Sequence, residues 1–349
     1  MLVLPFNRTE TSLAASYTVF GKLPNRADFV RVNATHPAAL EFDSLIQRAF
    51  ERIAGAPGSS DRQGLSVAVD FQYVSRDQRH VMVGVLMPSQ DQAGRSYPLV
   101  AAAILPGESV ESYLPVSPIA YEVFFDGLRD HVINAVENSV EALACRQFLE
   151  TNLRAYDTAT EDLDLARSVV DRYMSAQPAS RMFDLLEAGP FPASLQQALL
   201  NIAFYQAYLR RFDNHATNQL LLLPLSGLKG EQGLLASTWL IILSTLWPVA
   251  IQGVSWSGSY LLIRRPQEGA QLVASVGRMP ASFGSLMLGG PMERGMLLDL
   301  GVEHDAWTSH RMYAESSYAL SRVLADPACS LATLCTFLGV MSRQLAKDI

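Results

Sequence analysis

The sequence predicts an α+β fold: an antiparallel sheet packed with helices over residues 1–155, followed by a second α+β domain over residues 156–349. Three observations predict it. Candidate strands at Phe71 to Ser75, His80 to Met87 and Tyr97 to Leu105 follow one another through short connections, whereas a parallel crossover needs about a dozen residues or more. An amphipathic helix precedes these strands and two helical stretches follow them, an order that suits helices laid on one face of an antiparallel sheet. With 349 residues, 49% hydrophobic and 17% charged, the chain has apolar material for more than one core.

In chain order, Ser16 to Leu23 has the β-branched and aromatic content of a strand running into a Gly-Lys-Leu-Pro turn. Pro37 to Ala54 carries Leu40, Phe42, Leu45, Ile46, Phe50 and Ile53 at helical spacing, with Thr35 placed to cap the helix and Gly55 to stop it. A Gly/Ser/Pro loop from Gly55 to Gly64 leads to the three strands. Ile119 to Glu137 and Val140 to Leu153 read as helices, and Tyr156 to Thr160 is short of large apolar residues, which marks the boundary. Beyond it, Leu163 to Met174 and Leu195 to Phe212 read as helices, Gln219 to Leu225 as a strand and Leu234 to Trp247 as a buried helix. Val254 to Trp256, Ser259 to Arg264 and Gln271 to Val276 read as short strands between turns. The tail, His310 to Leu338, is helical and interrupted near Asp326-Pro327, because proline disfavours helical geometry in the residue before it.

Several function classes are disfavoured by this composition. A net charge of -7 and a pI near 5.4 lack the basic footprint of a nucleic-acid binder. Met1 to Phe6 is followed by polar residues without the basic start of a secretory signal, so a cytoplasmic protein is expected. No charged residue lies between Glu231 and Arg264, and Leu234 to Ile251 has the length of a membrane span. Yet Ser237-Thr238 and Ser244-Thr245 form a polar seam on one helix face, Pro248 ends the pattern and no Lys/Arg cluster flanks it, which reads as a buried helix without stable membrane insertion. Cys145, Cys329 and Cys335 have no CxxC spacing and read as buried thiols. Gly253-Val254-Ser255-Trp256-Ser257 misses the serine-hydrolase elbow because serine stands where the second glycine belongs, leaving a hydrolase that uses Ser255 or another serine of the second domain as the enzymatic alternative. The histidines show no zinc spacing. Gly227, Gly230 and Gly233 match neither a P-loop nor a dinucleotide fingerprint. No catalytic residue, metal or cofactor is expected.

Two stretches stand apart. In Gly21-Lys22-Leu23-Pro24-Asn25-Arg26-Ala27-Asp28-Phe29, Gly21 and Pro24 constrain the backbone while Lys22, Arg26 and Arg31 bring cations near Asp28 and Phe29. In Ser89 to Leu99, Asp91 can bond the turn backbone, Gly94 can take a positive φ, and Arg95 can pair with a carboxylate such as Asp28 or face a partner. The two turns read equally as an architectural pair and as a partner-binding surface, on which Lys22 and Arg26 are better placed than Asp28 to meet a partner.

The run Phe20 to Arg31, followed by a helix and then by Asp91-Gln92-Ala93-Gly94-Arg95-Ser96-Tyr97-Pro98-Leu99, resembles the N-terminal domain of the TagF (ImpM) family of type VI secretion-associated proteins. The resemblance covers about Ser16 to Leu153, with Ala27 where glycine is common. Gly277-Arg278-Met279-Pro280 and the strands around Trp256 are similar to the C-terminal extension of longer members. It implies a cytoplasmic, non-enzymatic accessory that restrains assembly or firing of the secretion apparatus by engaging a forkhead-associated scaffold protein. A structural part of the secretion baseplate is the third reading.

Overall fold

Strand residues alternate between the two faces of a sheet, and in HVMVGVLM, LVAAAILP and LLLLP both sets are largely apolar, so these strands call for cover on both sides. The computed structural model describes residues 15–54, 67–138, 141–156, 160–187, 192–211, 219–247, 256–265, 269–284 and 295–348. Its strands are β1 Ser16–Gly21, β2 Val30–Val32, β3 Val69–Val74, β4 His80–Met87, β5 Leu99–Pro106, β6 Leu220–Pro224, β7 Tyr260–Arg265 and β8 Gly269–Ser275. They form an 8-stranded sheet in the order β2-β1-β5-β4-β3-β7-β8-β6, and every named pair is antiparallel. The α+β class is as the sequence predicts. The expected division at 155/156 falls in the last turn of the helix Leu143–Tyr156, and the sheet continues across it because β3 pairs with β7 from Val69↔Ile263 to Gln72↔Tyr260.

Helix α1, Pro37–Ala54, lies on one face with Phe42, Leu45 and Ile46 packed on Phe71, Met82, Val100 and Val273, and Met279 and Phe283 complete that layer. The opposite face, with Val83, Val85, Ala101, Leu223 and Leu272, carries the larger helical layer. Both faces are therefore covered, where the order of elements suggests one. Leu40, expected on the apolar stripe, is 51% exposed. The cap of α1 is also one residue later than expected, since His36 Nδ1 accepts the Ala38 N–H at 3.2 Å.

Three short segments follow β5: α2 Gly107–Val110, a 3-10 turn Glu111–Val116 and α3 Ser117–Ala120. The main helices are α4 Glu122–Glu137, α5 Leu143–Tyr156, α6 Thr160–Ala176, α7 Arg181–Glu187, α8 Leu195–Arg211 and α9 Lys229–Leu246. The tail holds α10 Asp305–Thr308, α11 Arg311–Leu324 and α12 Leu331–Asp348, broken around Asp326-Pro327 as expected. β2 and α7 have no counterpart in the sequence reading. The strand expected at Val254 to Trp256 lies mostly outside the described residues, as do Ser255 and the loop from Gly55 to Gly64.

The uncharged segment forms α9, in which Leu235, Trp239, Leu240, Ile242 and Leu243 are fully buried. Its polar atoms are met locally: Thr238 Oγ1 donates to the Leu234 carbonyl at 2.8 Å, and Trp239 Nε1 donates to the Pro224 carbonyl at 3.1 Å. Among the described residues, no helix is long and apolar enough to cross a membrane. All three cysteines are free and buried, and burial pushes the Cys145 and Cys335 thiols up to about 12.

Where β3 meets β7, Asp70 is fully buried and held by two guanidiniums. Arg129 on α4 donates to it through Nε at 3.0 Å and Nη2 at 2.6 Å, and Arg264 on β7 donates to the same carboxylate. Arg264 is steadied in turn by Gln232 on α9, whose Oε1 accepts from its Nε at 3.0 Å.

Candidate functional site

The first turn begins where β1 runs into the start of β5. Gly21 sits at φ 134°, and a Cβ there would lie 2.1 Å from the Pro98 carbonyl oxygen, so both the backbone conformation and the crowding demand glycine. Leu23 is fully buried and anchors the chain. The Arg26 N–H then donates to the Leu23 carbonyl at 3.0 Å, closing a β-turn with Pro24 in the second position, where a fixed φ is favourable.

The second turn is built around Asp91. Its Oδ1 accepts the N–H groups of Ala93 at 3.0 Å and Arg95 at 2.9 Å, while Gly94, at φ 78°, donates its N–H to the Asp91 carbonyl at 2.9 Å. The Oδ2 atom takes Arg95 Nε at 2.7 Å and Lys22 Nζ at 3.1 Å. Burial alone would raise the pKa of this carboxyl, but the Arg95 N–H and the two cations hold it down at about 2.

Four links staple the turns together. Lys22 reaches Asp91 and the Arg95 carbonyl, the latter at 3.2 Å; Arg95 Nη2 donates to the Ala27 carbonyl at 3.1 Å; and the Gln92 N–H donates to the Arg26 carbonyl at 2.9 Å. The Phe29 ring meets Tyr97 edge-on at 5.1 Å. Tyr97 also stacks on Phe50 of α1 at 5.3 Å and donates its hydroxyl to Asp43.

This geometry redistributes the expected roles. Arg95 does not pair with Asp28: its partners are Asp91, four residues earlier in its own turn, and the Ala27 carbonyl. Lys22 is half-buried and its ammonium is held by Asp91, so it braces the platform. Arg26 and Asp28 are exposed on the outer side. Arg26 pairs with Glu141, which is itself exposed, across a distance of 115 residues in sequence.

Arg26, Asp28 and Phe29 form one wall of a groove of about 450 Å³ whose other wall is Glu141, Leu143 and Arg146 at the start of α5. Leu143 is 53% exposed there. Sequence reasoning places neither Leu143 nor Arg146 in the site, because each lies on the polar-looking start of a helix with no local signature. The available signal was a large apolar residue at a helix start that the buried stripe does not use.

Residues 18–152 match the family model of the TagF N-terminal domain, described as type VI secretion system-associated. Comparison with curated proteins gives no match. Among solved structures, the chain is similar to PA0076 from Pseudomonas aeruginosa PAO1, with 22% identity over 39% of this chain and a TM-score of 0.30. The chain spans about 61% of the length of that structure.

Proposed function

We propose, from the type VI secretion-associated TagF N-terminal domain matched by residues 18–152, that this chain is a non-enzymatic accessory restraining assembly or firing of the secretion apparatus. It acts in the cytoplasm by binding a forkhead-associated scaffold component. The observation that carries this reading is the stapled pair of turns, which holds Arg26 and Asp28 outward beside an exposed Leu143 in a groove of about 450 Å³. A platform fixed by its own hydrogen bonds loses little conformational entropy when a partner seats on it. An exposed apolar side chain ringed by charges is a common core-and-rim pattern of protein interfaces.

The test is capture of the purified forkhead-associated scaffold by the full chain and by the Arg26→Glu and Leu143→Asp variants, both altered at exposed positions. Each folded variant should lose at least about tenfold in affinity, as expected for reversing a rim charge or truncating an apolar anchor. Undiminished capture by both variants would remove the groove from the interface. Stoichiometric recovery of the chain with purified secretion apparatus would instead favour a structural component.

A further inference from the structure

A second cavity lies on the α1 face of the sheet, lined by residues outside the stapled turns and groove. Its volume is about 600 Å³, in the range of small-molecule sites. Arginines from three separate elements converge on it: Arg48 from α1, Arg76 from the turn after β3, and Arg278 from the segment after β8. Leu45, Met279 and Pro280 give it an apolar floor.

The charge there runs against the rest of the chain. The molecule is net acidic at -7, yet this cavity gathers three guanidiniums with Glu51 as the carboxylate on its wall. Glu41, close by, is already engaged by the Tyr73 hydroxyl and by the Arg76 N–H at 3.0 Å, with the Arg76 side chain at 3.6 Å. Among the described residues, Arg48 and Arg278 make no ion pair. Holding like charges together in one concavity is unfavourable unless an anion joins them. A planar guanidinium is suited to bidentate contact with phosphate oxygens.

The geometry points to a binding site for a phosphomonoester carried on a small, partly apolar molecule. Three guanidiniums from three directions match a tetrahedral group with three terminal oxygens better than a planar carboxylate with two. The floor of Leu45, Met279 and Pro280 takes the apolar body. Because α1 and β3 come from the first half of the chain and Arg278 to Ala281 from the second, the bound molecule tightens the contact between them.

The test uses the full chain and calorimetric titration with phenyl phosphate, with inorganic phosphate and phenol in parallel arms. Phenyl phosphate should bind saturably, inorganic phosphate more weakly, and phenol not at all. Arg48→Gln and Arg278→Gln, at exposed positions and checked for fold by circular dichroism, should each weaken phenyl phosphate binding about tenfold. Arg172→Gln, at an exposed position of α6 outside both this cavity and the groove, should bind like the parent. Absence of saturable phenyl phosphate binding at millimolar concentration overturns the site, as does binding that both pocket variants retain. Equal affinity for inorganic and phenyl phosphate overturns the apolar part of the assignment.

Discussion

Two buried aspartates each hold two cations, and they do different work. Asp91 lies inside one turn, where two backbone N–H groups and the cations Lys22 and Arg95 share its oxygens. Asp70 lies on β3 and takes its side-chain partners from α4 and β7, distant by 59 and 194 residues in sequence. Arg95 is 66% exposed at its side chain, while Arg129 and Arg264 are 16% and 21% exposed. A carboxylate satisfied by its own backbone can lose a cation and remain solvated by the turn. One satisfied only by remote guanidiniums binds together the pieces that carry them. The first therefore shapes a surface, and the second joins the sheet.

The largest expected effect tests that contrast. Asp70→Asn takes the shared carboxylate from two largely buried guanidiniums, leaving Arg129 with Asp126 at 2.6 Å, and breaking a buried pair in this way costs about 3–5 kcal/mol. Urea unfolding followed by circular dichroism should show a markedly lower midpoint for Asp70→Asn than for Asp91→Asn. Equal midpoints would break the distinction. Partner capture by whatever fraction of Asp70→Asn stays folded should be intact, because the stapled turns do not touch Asp70.

A second contrast lies within the turns themselves. Gly21 and Gly94 both have positive φ, at 134° and 78°, but a Cβ on Gly21 meets backbone at 2.1 Å and a Cβ on Gly94 meets nothing within 4 Å. Gly21→Ala combines strain with a clash that no side-chain movement relieves and should cost about 3 kcal/mol. Gly94→Ala carries only the conformational part, about 1 kcal/mol. Thermal unfolding should separate the two variants clearly; similar melting temperatures would mean that β5 can shift away from the end of β1.

How well each region reads from sequence follows the same division between local and remote chemistry. The bounds of α1 and β4 follow from apolar patterning and the residues that flank it, and coincide with the structure. The turns are legible because glycine, proline and aspartate act on their own neighbours. Of the two outcomes open to Arg95, pairing with a carboxylate such as Asp28 or facing a partner, the structure pairs it with a carboxylate, but with Asp91, since one four residues away needs far less loop closure than one on another turn. β2 has only three residues, too few to show a period, and forms because the turn folds Val30–Val32 back on β1. Asp70 sits in the run Val69-Asp70-Phe71-Gln72, where alternation suggests a polar face, yet the whole strand is buried. Nothing local reports Arg264 on a strand of the other half.

The smallest effect concerns the protonation of Asp91. Burial opposes its charge, but the Arg95 N–H, Lys22 and Arg95 hold the folded-state value at about 2, below the ordinary 3.8. A depressed carboxylate contributes stability that is fully present above the unfolded value and disappears as the pH falls through the folded one. The stability difference between the parent and Asp91→Asn should therefore be constant above about pH 5 and shrink as the pH falls toward 2. Its size is limited because Arg95 is two-thirds exposed and screened by water and salt. Urea midpoints across that pH range, at low and at high salt, give the measurement. A difference that stays flat down to pH 2 would mean that ionisation of Asp91 contributes nothing to the stability of the turn.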